Sequence, residues 1–173
     1  MINKTTNRGF LIDLDLAIQE HRIPTLGPKE RKTGTRPFMA VAALQGEPPS
    51  FMHDLESFFC VLFWVCIHYE APGKGRVVEQ FDECNNSWTT CNLACMKLGT
   101  VVGDEDFQRT MDKHFTEYSA PLAPWVDELR KVVFPEDRRW TEEDEWLYER
   151  MAGVLEEACK SVAETVVVTE QRC

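Results

Sequence analysis

The sequence predicts a mainly α-helical domain with one short N-terminal β segment and a central buried helix. Three observations carry this fold class. Ser50 to Tyr69 is apolar on nearly every side beyond Glu56, which is the pattern of a helix enclosed by its neighbours rather than resting on a surface. Gly9 to Asp13 is a brief apolar run that ends on acidic residues, as a short strand does. After residue 100, apolar residues recur every three or four positions, the helical period.

Taken in order, residues 1–8 are expected to be an N-terminal extension and 9–163 one domain. Within it, 18–36 turns polar and is punctuated by Pro24, Gly27, Pro28 and Gly34, so it reads as a long loop. The central helix is assigned to 50–69, with Pro48 and Pro49 before it and Pro72-Gly73 after it. Trp88 to Leu98 has helical character, interrupted by Asn and Thr. Asp104 to Tyr118 reads as an amphipathic helix whose acidic first turn suits the helix dipole. Another helix is expected from about Pro124 to Phe134. Thr141-Glu142-Glu143-Asp144 resembles a capping box opening the last helix. There Trp146, Leu147, Met151, Val154, Leu155, Ala158 and Val162 share one face, a packing stripe. Residues 164–173 are expected to be a frayed tail.

Composition is that of an ordinary globular chain, with 43% hydrophobic residues against 28% charged in 173. The net charge of −10 is unevenly spread. Residues 1–50 carry seven Lys/Arg against five Asp/Glu, and 101–173 carry nine against eighteen. So acidic a C-terminal half excludes nucleic-acid binding, which needs a basic footprint. The seven cysteines form no Cys-x-x-Cys pair, and the spacing of Cys84, Cys91 and Cys95 suits no zinc site. Cys60 and Cys66 fall inside the apolar run and are read as small hydrophobes. The odd cysteine count and the lack of a signal peptide point to an intracellular location, cytoplasm or nucleus. Phe58 to Ile67 is apolar for only about half a bilayer crossing, so no membrane contact is expected.

The chemical signal begins at Asp13. A carboxylate ending an apolar strand, followed by a loop, is well placed for a hard cation such as magnesium, which favours one or two carboxylates with phosphate oxygens and water. Two phosphoryl-transfer families fit Asp13-Leu14-Asp15. In haloacid-dehalogenase-type phosphatases, Asp13 would be the nucleophile and Asp15 the general acid. Val101-Val102-Gly103-Asp104 is similar to their later metal motif. Against this, position 17 is Ala rather than Thr and position 108 is Gln rather than Asp.

Three ordered segments favour the other family. Asp13-Leu14-Asp15-Leu16-Ala17 resembles the Asp-Phe-Gly-Leu-Ala metal segment of protein kinases. Gly34-Thr35-Arg36-Pro37-Phe38-Met39-Ala40 resembles the close of their activation loop. His53-Asp54-Leu55-Glu56-Ser57-Phe58-Phe59 resembles the start of their central helix, where an Asp precedes an apolar run. In wording these are similar to the fungal-type protein kinases, over residues 9–70 by motif and to about 160 by helical character.

The resemblance implies a partial C-lobe of a protein-kinase-like domain and ATP-dependent phosphorylation of protein Ser/Thr, with ATP and Mg2+ as cofactors. Asp13 would bind magnesium bridging the ATP phosphates. Asp15 replaces the usual Gly and makes the backbone less permissive of positive φ. Thr35 would position the active-site loop, and Asp54 would hydrogen-bond the catalytic-loop backbone. Thr25 and Thr33 would be phosphorylation sites, with Arg31 and Lys32 near enough to pair with added phosphate. His21, His68 and His114 are read as surface or packing residues.

The 173 residues contain no Gly-rich phosphate loop, no strand lysine with its helix glutamate, and no His-Arg-Asp catalytic loop. No catalytic residue is therefore assigned, and the chain alone is expected to be inactive. A non-catalytic, pseudokinase-like interaction module is the alternative. Ala42 stands where kinases have a Glu that pairs with a C-lobe Arg, so that tie is expected to be lost and the Arg orphaned. The absence of a covering catalytic loop also predicts an exposed apolar face on helix 50–69, and self-association through it.

Overall fold

The computed structural model describes residues 2–3, 5–6, 8–9, 34–86 and 89–170, and the fold is mostly helical. Within the stretch expected to be an extension, a two-residue ladder forms, β1 (Ile2–Asn3) against β2 (Arg8–Gly9), pairing Ile2 with Gly9 and Asn3 with Arg8. Residues 10–33, including the strand expected up to Asp13 and the loop at 18–36 as far as residue 33, lie outside the described residues. The described chain resumes at Gly34 and runs into α1 (Val41–Gln45) and α2 (Phe51–His68).

α2 is the central element. It begins where the Ser50 hydroxyl accepts the Met52 N–H at 3.2 Å. Its inward face carries Met52, Leu55, Phe59, Phe63, Cys66 and Ile67, all buried. Phe59 meets Phe107 and Phe134 at ring separations of 6.1 and 5.7 Å, and Phe63 meets Phe81, Phe107 and Phe115 at 5.6–5.9 Å. Each such buried side chain stabilises the fold by about 1.5–3 kcal/mol. α2 is long and apolar enough to cross a membrane, but 56% of that stretch is buried inside the domain.

The single β segment expected from sequence is corrected by a second hairpin. β3 (Tyr69–Ala71) and β4 (Lys74–Gly75) pair antiparallel directly after α2. Pro72-Gly73 makes the turn, with Gly73 at φ 73°, a conformation open to glycine. The last carbonyls of α2 are taken up from far along the chain. Cys66 O accepts the Thr116 N–H at 3.1 Å and the Ser119 hydroxyl at 2.9 Å. Ile67 O accepts Arg76 Nε at 2.8 Å, and Tyr69 O accepts the Thr116 hydroxyl at 2.7 Å.

α3 (Glu79–Asn86) was not expected, and α4 (Thr90–Lys97) falls within the stretch read as helical. A π-helical turn (Leu98–Val102) leads into α5 (Asp104–His114). The helix expected to reach Tyr118 stops at His114, because Phe115 and Thr116 extend to reach the end of α2. A 3-10 turn (Glu117–Leu122), capped reciprocally by Thr116 and Ser119, precedes α6 (Ala123–Val133).

α7 (Leu147–Glu170) corrects two expectations. Residues 141–146 form turns rather than a first helical turn, so Thr141 is not a cap. Instead Asp144 accepts the Trp146 N–H on its carboxylate at 3.0 Å and the Leu147 N–H on its carbonyl at 3.0 Å. The helix also continues through 164–170, where a frayed tail was expected. Leu147, Met151 and Ala158 are buried as the stripe requires, but Trp146, before the helix begins, is 69% exposed.

One buried cation ties α5 to α6. Arg130 is 1% exposed and reaches Asp104 at 2.6 Å, Asp137 at 2.9 Å, Asp127 at 3.4 Å and Val102 O at 2.8 Å. Its guanidinium also lies 5.4 Å from the Phe107 ring centroid. Five N–H donors in a planar fork suit this many-sided enclosure.

Candidate functional site

The segment from Gly34 to Leu44 carries Gly34 and Thr35, two of the candidate residues that fall in the described chain, and its seat can be built side chain by side chain. Thr35 O accepts the Phe38 N–H at 2.8 Å and the Met39 N–H at 3.2 Å, closing a tight turn. Gly34 opens that turn at φ 134°, and a Cβ there would come within 3.2 Å of Met39 Cγ. The positive φ therefore favours glycine, and a Cβ would also require the Met39 side chain to give by a few tenths of an ångström. Pro37 and Met39 are buried beneath the turn, and Phe38 packs edge-on to Trp64 of α2 at 5.8 Å.

α1 then begins without a side-chain cap of its own, since Ala40 precedes it. The missing acceptor comes from α2. Glu56, 1% exposed, takes the Val41 N–H on Oε1 at 2.7 Å. One turn further along α2 lies Cys60. Lys97, from the end of α4, donates to Met39 O at 2.6 Å and to Cys60 Sγ at 3.2 Å. Burial pushes the Glu56 carboxyl above its usual range, opposed by the Val41 N–H and the Lys97 charge. Burial likewise raises the Cys60 thiol, opposed by Lys97. Beside this group, between Pro37, Cys60, Trp64, Met96 and Lys97, is a cavity of about 30 Å3, room for a water molecule.

A third tie holds the far end of α1. Arg139 donates to Gln45 Oε1 at 2.7 Å and to Glu47 Oε1 at 2.9 Å. These contacts correct the expectation drawn from Ala42. Ala42 is fully buried, so a glutamate has no room there. The segment is held all the same, by Glu56, Lys97 and Arg139, and neither Arg130 nor Arg139 is orphaned.

The other candidates are placed as follows. Gly34 and Thr35 are exposed and share one turn. Asp54 stands exposed in the first turn of α2, its side chain without a hydrogen-bond partner among the described residues, and no hydrogen bond joins it to Thr35. Desolvation pushes its carboxyl upward. Its neighbour His53 is buried against Trp140 at a ring separation of 5.3 Å, and burial holds its imidazole below the usual value. His68 is a packing residue, stacked on Trp64 at 3.7 Å. Asp13, Thr25 and Thr33, with Asp15, Arg31 and Lys32, lie outside the described residues. Among the described residues no three His, Cys, Asp or Glu side chains converge to hold a metal.

Sequence reasoning missed Glu56, Lys97 and Arg139 as the groups that seat the segment. The signal for Glu56 was present, since a glutamate within a helix apolar on all sides is buried only if paired. Lys97 and Arg139 carry no local sign, because their partners are 58 and 94 residues distant.

Comparison with protein families matches residues 1–66 to the fungal protein kinase family. No curated protein and no solved structure matches the chain.

Proposed function

We propose, from the match of residues 1–66 to the fungal protein kinase family, that the helical domain is the C-lobe part of a protein-kinase-like fold. The family reaction would be ATP-dependent phosphorylation of protein Ser/Thr, and these 173 residues on their own would be catalytically silent. The observation that carries this reading is the seat of Gly34–Leu44 on α2. A turn that favours glycine is fastened by a buried carboxylate and a buried ammonium from two helices. That is how the end of a substrate-positioning segment would be held in register.

In this reading Asp13 would hold Mg2+, which would supply charge neutralisation for the ATP phosphates. Asp54, exposed and unpartnered among the described residues, offers its carboxylate to a catalytic-loop backbone. The sequence contains no His-Arg-Asp loop to receive it. Incubation with Mg-ATP and a general protein substrate should give no more phosphoryl transfer than the Asp13→Asn variant. Turnover abolished by Asp13→Asn would overturn the silent reading.

One observation favours a second reading, a non-catalytic interaction module. Phe58, Val61, Val65 and Tyr69 are 54, 40, 37 and 41% exposed, along one side of α2 and just past its end. The spacing of 58, 61, 65 and 69 is that of one helical stripe. A soluble domain rarely leaves such a stripe bare without a partner. The phosphatase reading gains no support from the fold. The described strands form two small antiparallel hairpins rather than a parallel sheet, and Asp104 is engaged by Arg130.

A further inference from the structure

A cleft on the side of the domain formed by α5, the 3-10 turn and α6 encloses about 460 Å3, within the range of sites that hold a small ligand or a few peptide residues. Its floor is apolar, with Met111, Phe115 and Ala123 among the lining residues. Its rim is acidic. Asp112 and Glu117 are exposed there and form no ion pair with any described residue. Asp127 closes the far end and is already engaged by Lys131 at 2.8 Å and Arg130 at 3.4 Å. Among the described residues no lysine or arginine lines the cleft.

We propose that this cleft docks a short basic segment of a partner protein, an apolar residue flanked by lysine or arginine. Charge complementarity selects this occupant. Two carboxylates that pair with no described residue, at the mouth of an apolar floor, favour a cation whose stem or neighbour is apolar. A metal ion is excluded, because no three ligating side chains converge among the described residues. A second copy of this chain is disfavoured, since it brings the same charge of −10. The wall is fixed before any partner arrives. Phe115 N donates to Met111 O at 2.9 Å, and Thr116 is bonded both to the end of α2 and to Ser119. A preformed wall lowers the ordering cost of binding. None of this depends on the kinase reading.

The test is fluorescence anisotropy on the full chain with a labelled acetyl-Arg-Leu-Arg-Leu-Arg amide. Binding should be saturable, and about five-fold weaker in the Asp112→Asn, Glu117→Gln double variant. Replacing every Arg of the peptide by Glu should abolish binding, and replacing every Leu by Gly should weaken it about ten-fold. Ala120→Trp fills the cleft from an exposed position, and should remove binding with the thermal unfolding midpoint unchanged. No saturable binding would overturn the proposal. So would equal affinity for the Arg-Gly peptide, which marks bulk charge attraction. Affinity unaffected by Ala120→Trp would also overturn it, placing the peptide elsewhere.

Discussion

Glu56 is the residue on which the N-terminus of α1 depends. Its carboxylate is the acceptor for a buried backbone N–H and lies near the buried Lys97 charge. Glu56→Ala would leave both without it, and should lower unfolding free energy by about 2–4 kcal/mol. Glu56→Gln keeps an acceptor and should recover a clear part of that loss in denaturant titrations; equal losses for the two variants would mean that bulk rather than hydrogen bonding matters. The two buried titratable side chains of this turn act in opposite senses. His53 has its imidazole depressed by burial, so the unfolded chain binds the proton more readily. Its stabilisation is complete above the unfolded value of 6.5 and is lost as pH falls through that value toward the lower folded one. His68 and His114 are depressed as well and add the same sign. The Glu56 carboxyl is raised, so its contribution is full below 4.5 and lost as pH rises through the folded value. In urea unfolding, the stability lost between pH 7.5 and 5.5 should therefore be smaller, or the gain larger, in His53→Gln than in the parent chain, and identical pH dependence in the two would refute the assignment.

Among the elements, α1 and α4 make the clearest pair, since α4 delivers Lys97 to the carbonyl just ahead of α1. Lys97→Met retains the stem and removes the donor. Amide hydrogen exchange should then accelerate over 38–44 while α6 stays protected, and uniform acceleration would refute a local role. Ala42→Glu provides the converse check. Restoring the glutamate that the motif comparison expects should destabilise the fold by about 3 kcal/mol or more, because a charged side chain would enter a filled core. How far each element could be read from the sequence follows from where its cause lies. α2 was legible to within one residue at each end, because Ser50 and Pro72-Gly73 are local signals. α7 was misplaced, because Asp144 rather than Thr141 closes the entering chain, and both residues suit a cap. The seat of Gly34–Leu44 was half legible. Its glycine turn is local chemistry, but two of its three ties come from residues far along the chain, and only the fold shows that Ala42 is enclosed.

At the scale of the whole molecule, the exposed stripe of Phe58, Val61, Val65 and Tyr69 makes self-association a testable expectation. Sedimentation velocity at micromolar concentration should show reversible association, reduced by Phe58→Ser with Val61→Ser; a single monomeric species in the parent chain would count against this. Charge limits that association, since every copy carries −10, so added salt should strengthen it.

The long-range bonds at the end of α2 also impose an order on synthesis. Cys66 O and Tyr69 O are satisfied by Thr116 and Ser119, and these lie 47 to 53 residues downstream. A nascent chain that has emerged only as far as β4 thus holds its most apolar helix with the last turn open to solvent and the aromatic partners Phe107, Phe115 and Phe134 still unmade. Until residue 119 clears the ribosome those bonds cannot form, so the helix is expected to stay exposed to chaperones and proteases. Arrested chains in which Ser119 has and has not emerged from the ribosome should separate protease-resistant from protease-sensitive α2.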